Sequence, residues 1–274
     1  MTASYQETPT RTGWSPQSML KASGVIWFLV AAAGQWVFVY YIMAAYTPRT
    51  IGGDFARWDE TGLIMGHEAG DPFGNFMFIT HVFLAAVITF GGTMQLIPAL
   101  RNRFRGLHRW NGRLFMTAAI ILAAGGLWMT WFRGARLSDI GGLGIALNGF
   151  LILAIVPLTT WLAMRRKIDA HRRWAMRLFI LVNGVWFFRL FMMGWIFVWR
   201  EPLWMNATLD APYQLFASFA CYLLPLAGLE LYFRATASTN GGFKLATSAA
   251  VLAFSGLMAM SIFAAWMMMW SPHV

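Results

Sequence analysis

The chain is dominated by apolar stretches of about twenty residues, separated by short polar segments. A helix of about 20 apolar residues crosses the roughly 30 Å hydrocarbon core of a bilayer. The pattern therefore predicts an all-α, polytopic membrane helical bundle, with one transmembrane domain at 23–274 after an N-terminal tail at 1–22. The seven predicted spans are 23–46, 76–99, 114–132, 141–163, 178–199, 215–233 and 246–270.

Composition agrees with this prediction and excludes a soluble domain. The chain is 58% hydrophobic and 12% charged, whereas a soluble chain carries about 25% charged residues. The single cysteine, Cys221, excludes an intrachain disulfide. Walker A, GxSxG and HExxH motifs are absent from the sequence, so it identifies no classical enzyme.

The basic residues are distributed unequally between the two sides of the predicted bundle. Fifteen Lys and Arg residues fall on the side of the N-terminus and five on the other. By the positive-inside rule we expect the N-terminus to be cytoplasmic. The first 20 residues are polar and lack a short apolar core, so we expect no cleaved signal peptide and expect the first span to direct insertion. The net charge of +10 then reflects a membrane surface carrying anionic lipids, and we expect no nucleic-acid partner.

Two similar segments lie 63 residues apart on the predicted cytoplasmic side. They are "GLHRWNGRLF" (106–115) and "AHRRWAMRLF" (170–179), in the loops 100–113 and 164–177. Each joins a descending span to an ascending one, which predicts pseudo-repeated hairpins of spans 2–3 and 4–5 and a four-helix core of spans 2–5.

The repeat brings His108 and His171 to matched depth, where they could ligate a b-type haem from facing helices. Neighbouring arginines would then pair with the haem propionates. The alternative is an interfacial belt of basic and aromatic residues that binds lipid phosphates or caps the loops. The arginines concerned are Arg109, Arg113, Arg172 and Arg173.

Two further polar residues lie within the spans. His81, in span 2, is a candidate haem or metal ligand on the outer side, with His67 as a partner, or a histidine bonded to a polar neighbour such as Asn148. Arg189, near the middle of span 5, costs roughly 2.5–3.5 kcal/mol on insertion scales. It predicts an internal site for an anion, a quinone carbonyl or a propionate, or a structural pair with Glu230.

The longest predicted loop, 47–75, carries five of the eleven acidic residues and is expected to form an outer cap. Within it, His67, Glu68 and Asp71 are potential metal ligands at short spacing. Their spacing matches no established metal motif, so a solvated acidic loop is the alternative. The two tryptophans near the C-terminus, Trp266 and Trp270, are typical of the interfacial aromatic belt.

The segment "HVFLAAVITFGGTMQLIPALRNRFRGLHRWNGRLF" and the later "HRRWAMR" resemble a family of bacterial predicted membrane proteins, domain of unknown function 2306. The likeness covers about residues 70–200 and implies a polytopic inner-membrane protein without an established activity. A looser likeness links the chain to membrane b-type cytochromes. Those bundles carry histidine pairs within facing helices, whereas here His81 is the histidine that lies clearly within a span.

Three classes of function follow from these observations. The first is a redox-linked membrane protein, an electron-transfer protein holding b-type haem or quinone between His81, His108 and His171. The second is a non-catalytic accessory or scaffold subunit of a membrane complex that binds lipid through its basic loops. The third is a small-solute transporter that uses Arg189 and His81.

Overall fold

The computed structural model describes residues 15–61, 66–136 and 138–274. Within these ranges the chain forms helices and loops and contains no β-strand. The helices are α1 (Pro16–Ile51), α2 (Pro72–Leu96), α3 (Pro98–Arg103), α4 (Arg105–Trp131), α5 (Asp139–Met164), α6 (Ile168–Val182), α7 (Gly184–Trp199), α8 (Pro212–Ala237) and α9 (Gly241–Ala265). Short 3-10 helices at Phe55–Thr61 and Ser271–His273 and a π-helical turn at Trp266–Trp270 complete the fold.

The all-α membrane fold is confirmed. Six of the described helices are long and apolar enough to cross a membrane, and the number rises to seven when α6 and α7 are counted as one span bent by 51°. The predicted orientation and the repeat stay predictions. Of the predicted tail, residues 1–14 lie outside the described residues and the rest from Pro16 already belongs to α1.

Helix boundaries differ from the predicted spans at the basic segments. Helix α4 begins at Arg105 and α6 at Ile168, so most of the two predicted loops is helical. A hydropathy window detects the apolar part of a helix, whereas Arg, Leu and Trp continue the helix beyond the hydrocarbon region with little loss of helix propensity. The starts of α1, α2, α5 and α9 are capped by Ser15, Asp71, Ser138 and Asn240, each of which accepts a hydrogen bond from the backbone N–H three residues on.

The helices pack as a ring that the first and last helices close. Helix α1 packs on α9 and α2, α2 on α4, α4 on α5, α5 on α6 and α8, and α7 on α8 and α9. Because α7 packs against α8 and α9, spans 2–5 do not form a separate four-helix core. Small residues permit two of these approaches: a Cβ on Gly144 would lie 2.7 Å from Ser218 Oγ, and Gly194 faces Ser261.

The break between α6 and α7 falls at Asn183. The Asn183 side chain donates to the carbonyl of Phe179 at 2.8 Å, and Asn148 on α5 donates through Nδ2 to the carbonyl of Leu181 at 3.0 Å. Gly184 makes this contact possible, since a Cβ there would lie 2.7 Å from Asn148 Nδ2. Backbone carbonyls released by the bend are thus bonded within the bundle, as an interrupted membrane helix requires.

Candidate intramembrane site around Arg189

Arg189 lies on α7, five residues after the helix begins at Gly184. Its guanidinium carbon stands 5.4 Å from the ring centroid of Phe38 on α1, and its Nη1 donates to the carbonyl of Val185 at 3.2 Å. Among the described residues, every carboxylate that forms an ion pair is paired with an arginine other than Arg189. The charge of Arg189 is therefore balanced by no acidic side chain in that part of the chain.

Glu230, the acid considered for Arg189, pairs with Arg177. The two groups form a bidentate contact, with Arg177 Nε at 2.6 Å and Nη2 at 3.0 Å from the carboxylate oxygens. The guanidinium of Arg177 also lies 4.6 Å from the ring centroid of Trp174. Glu230 lies in the half of α8 away from Pro212, where it meets α6 rather than the middle of α7.

His81 interacts electrostatically with Arg189 across the interior, from α2 to α7. Its ring fits beside Gly126 of α4, where an added Cβ would lie 3.5 Å from His81 Cε1. The Nδ1 atom of His81 is buried and has no hydrogen-bond partner among the described residues. Its two suggested partners lie elsewhere: Asn148 bonds at the α6–α7 break, and His67 contacts the rings of Phe55 and Trp58 in the outer cap.

Three buried polar side chains lie within one helical turn of Arg189 or Phe38 along the chain, or contact the ring of Phe38. Gln35, fully buried on α1, lies one turn from Phe38. Trp186 precedes Arg189 by one turn on α7. The ring centroid of Trp270, also fully buried, lies 5.4 Å from that of Phe38. Both amide atoms of Gln35 and the Nε1 atoms of both tryptophans lack a hydrogen-bond partner among the described residues.

The unbonded groups are mostly hydrogen-bond donors. Indole Nε1 only donates, a guanidinium only donates, and the glutamine amide adds two N–H groups beside one oxygen. Buried polar groups in proteins are almost always hydrogen-bonded, so a cluster of unbonded ones requires an explanation. Donors around an unbalanced positive charge are suited to a ligand that brings acceptor oxygens and negative charge.

The interfacial interpretation of Trp270 is wrong. Its indole is fully buried and stacks on Tyr41 at 6.0 Å between ring centroids. The π-helical turn, closed by a bond from Ser271 N–H to the carbonyl of Trp266, alters the register at the end of α9. The helical periodicity of the sequence does not predict such a turn. Gln35, in contrast, could have been identified from the sequence, because it is a lone amide in an apolar stretch.

His108 and His171 interact electrostatically near the starts of α4 and α6. His171 Nδ1 lies 3.0 Å from the carbonyl oxygen of Thr159. Because a carbonyl only accepts, Nδ1 is the donor, and in the neutral ring Nε2 then keeps the lone pair that a metal ligand needs. The cavity beside His108 has a volume of about 10 Å³, the space of about one water molecule rather than a porphyrin.

The four arginines assigned to propionates are exposed. The guanidinium of Arg113 lies 5.0 Å from the centroid of Trp110, and that of Arg173 lies 4.9 Å from the centroid of Phe233. Arg109 and Arg172 extend from the same two helix starts. This arrangement suits lipid headgroups at least as well as a buried cofactor.

In the outer cap, Asp71 is engaged in structural contacts. Its carboxylate accepts from the Gly74 N–H at 2.8 Å and from Arg133 Nε at 3.0 Å, and Arg133 Nη2 also donates to Asn75 at 2.6 Å. Glu68 is exposed, and its backbone bonds with Asn75. The described residues contain no group of three or more His, Cys, Asp or Glu side chains that could hold a metal ion. The role of Arg133, which ties α2 to the end of α4, was not foreseen from the sequence.

The fold and its buried polar centre define a multi-pass integral membrane protein. Residues 78–211 match a family described as "Predicted membrane protein (DUF2306)", so this segment is similar to that family, as the sequence motifs indicated. The matched segment contains His81, His108, His171 and Arg189, whereas α1 and the C-terminal turn lie outside it. No curated protein and no solved structure matches the chain.

Proposed function

We propose that this integral membrane protein binds a small anionic ligand, one with a carboxylate or similar oxyanion, inside the bilayer. The observation that carries the proposal is the guanidinium of Arg189, which has no acidic partner among the described residues and lies near unbonded donors. Arg189 binds the anion, and His81, Trp186 and Trp270 are positioned to complete its hydrogen bonds.

The energies favour an anion over a neutral ligand. An arginine at the centre of a membrane helix costs roughly 2.5–3.5 kcal/mol, and a cation–π contact such as that with Phe38 returns about 0.5–2 kcal/mol. An oxyanion adds charge-assisted, bidentate hydrogen bonds, which are about twice as strong as neutral ones. A quinone carbonyl can accept these bonds but leaves the charge unbalanced, so the quinone alternative is weaker at this site.

Transport of the bound anion is the form of this function that the α6–α7 bend supports. Transporters commonly place their substrate near the bilayer midplane beside a discontinuous helix, and Arg189 follows such a break by six residues. An accessory or scaffold role makes no use of the polar centre. Anionic lipids remain the proposed partners of the exposed arginines on α4 and α6, through headgroup contacts of about 1 kcal/mol each.

Binding of carboxylates by the purified protein tests the proposal. The probes are short carboxylates, from acetate to benzoate, each paired with its neutral amide and titrated calorimetrically into the protein in nanodiscs. Wild-type protein should bind at least one carboxylate in preference to its amide. Arg189→Met should abolish this binding, Arg189→Lys should retain part of it, and Arg200→Met should leave it unchanged.

Arg200 is a matched control because its guanidinium also lies over a phenylalanine, Phe197, at 5.1 Å, but at the exposed end of α7. If no carboxylate binds more tightly than its amide, or if Arg189→Met binds as wild type does, the proposal is wrong. Uptake of the bound anion into liposomes then distinguishes transport from binding alone.

A second candidate is ligation of a b-type haem by His108 and His171, favoured by their positions near the starts of α4 and α6 and by the bond between His171 Nδ1 and the carbonyl of Thr159, which orients the ring. The cavity of about 10 Å³ beside His108 would have to widen to admit the group. His108 and His171 would then hold the haem, which would supply one-electron chemistry. The test is the absorbance of purified protein before and after dithionite. A Soret band and a reduced α band would support this function if His108→Ala and His171→Ala remove them and His273→Ala does not.

A further inference from the structure

The surface of the helical bundle carries an apolar groove of about 570 Å³ between α1 and α9. Its volume lies in the roughly 300–1,000 Å³ range of small-ligand sites. The groove faces the surroundings of the bundle, because Trp36, Tyr40 and Phe263 are each about half exposed. Its walls include Ala33, Trp36 and Tyr40 on α1 and Ala259, Ile262 and Phe263 on α9.

The floor of this groove approaches the Arg189 site at Gly34. A Cβ on Gly34 would collide with the side chain of Ile262, which lines the groove, and would lie 3.0 Å from Trp186. The side chains of Ile262 and Trp186 therefore meet over the Cα of Gly34, and Ile262 lies between Trp186 and the open groove. The next residue is Gln35, which is fully buried and has both amide atoms unbonded.

Resting on the proposed anion site, we infer that the ligand is an amphiphile, a fatty-acid-like carboxylate with a single alkyl chain. The carboxylate pairs with Arg189 and the chain runs past Gln35 and Gly34 into the groove between α1 and α9. The unbalanced guanidinium selects an anionic head, and the apolar groove next to it accommodates a chain that a small polar solute lacks. Ile262, whose flexible side chain covers Gly34, rotates to admit the chain.

Photolabelling in a lipid membrane tests this inference. The probe is palmitate carrying a diazirine near its methyl end, added to protein in phosphatidylcholine nanodiscs, with the sites of attachment read by peptide mass spectrometry. Labelling should concentrate on the α1 and α9 segments that form the groove. Loss of a charge-assisted hydrogen bond weakens binding about tenfold or more. Groove labelling should therefore fall about tenfold in Arg189→Met, and also in wild type when the probe's carboxylate is replaced by an alcohol.

Filling the groove provides an independent variant. Ala33 and Ala259 are both exposed, so Ala259→Phe occupies the groove without disturbing the core and should remove the labelling. Ala253→Phe is the control, because Ala253 is also exposed on α9 but lies outside the groove. Both variants should still bind short carboxylates.

The outcomes separate the two proposals. The amphiphile inference is wrong if labelling spreads evenly over all lipid-facing helices, or if groove labelling is the same in Arg189→Met as in wild type. If short carboxylates still bind, the anion site itself stands. Absence of both groove labelling and short-carboxylate binding overturns the anion site as well. Equal labelling by an isoprenoid quinone probe, independent of Arg189, would assign the groove to a neutral ligand.

Discussion

Replacing Arg189 with methionine should stabilise the ligand-free protein. Methionine has a similar length and no charge, so the variant removes the cost of an arginine within the membrane, roughly 2.5–3.5 kcal/mol. It also loses the cation–π contact with Phe38, which lies 5.4 Å away and is worth about 0.5–2 kcal/mol. The hydrogen bond to Val185 contributes little, because that carbonyl belongs to the preceding turn of the same helix.

The difference between these terms is a gain of about 0.5–3 kcal/mol for Arg189→Met. For a protein of this size, 1 kcal/mol shifts the midpoint of thermal unfolding by about 2–4 °C. We therefore expect the midpoint to rise by several degrees in ligand-free detergent solution, followed by far-UV circular dichroism. Arg189→Lys, which keeps a charge, should show no such rise.

A bound anion reverses the order of stability. A ligand at a hundred times its Kd stabilises the folded state by about 2.7 kcal/mol, so wild type should gain stability with carboxylate while Arg189→Met should not. A fall in the midpoint of ligand-free Arg189→Met would contradict the reasoning. It would mean that Arg189 already makes a strong structural contact within the protein.

Three further predictions concern contacts away from the site. Asp71→Asn should weaken the contact with Arg133 by about 1.5–3 kcal/mol, because the Arg133 side chain is almost fully buried, with an exposure of 5%. Faster amide hydrogen exchange at 66–75 would detect this loss, and unchanged exchange would contradict a structural role. Glu230→Gln should lower thermal stability by about 1 kcal/mol, since the pair with Arg177 is only partly buried. Arg57→Gln, which removes only the exposed pair with Glu60, should have a negligible effect. Hydrogen bonds from Thr208 and Asn206 hold the pKa of Asp210 below its ordinary value of 3.8. The resulting stability of the segment 206–214 is therefore complete above that pH and is lost as the pH falls through the lowered pKa. Amide protection factors, corrected for the intrinsic pH dependence of exchange, should stay constant between pH 7 and 5, and a change in them would contradict this assignment.

The membrane fold could be predicted from the sequence because it depends on local composition. Twenty apolar residues form a spanning helix whatever lies elsewhere in the chain, and the charges between the spans mark their limits. The bend at Asn183 was less accessible, since it depends on Asn148, 35 positions earlier, to bond the released carbonyl of Leu181.

The candidate site was only partly predictable. Arg189 and His81 stand out as polar residues within apolar spans, but their neighbours Phe38 and Trp270 come from the first helix and the last turn of the chain. Which helices meet is decided by long-range packing, and Trp270 faces inward only because a π-helical turn ends α9. The depth of Glu230 along α8 did point away from Arg189, and its pairing with Arg177 follows from that depth.

A density map of the protein in a lipid nanodisc, at a resolution that reveals side chains and small ligands, tests the central claim most directly. The account predicts non-protein density within hydrogen-bonding distance of the Arg189 guanidinium, in wild type and not in Arg189→Met. An interior in which Arg189 is bonded to a carboxylate of the chain itself, with no density beside it, would contradict the account.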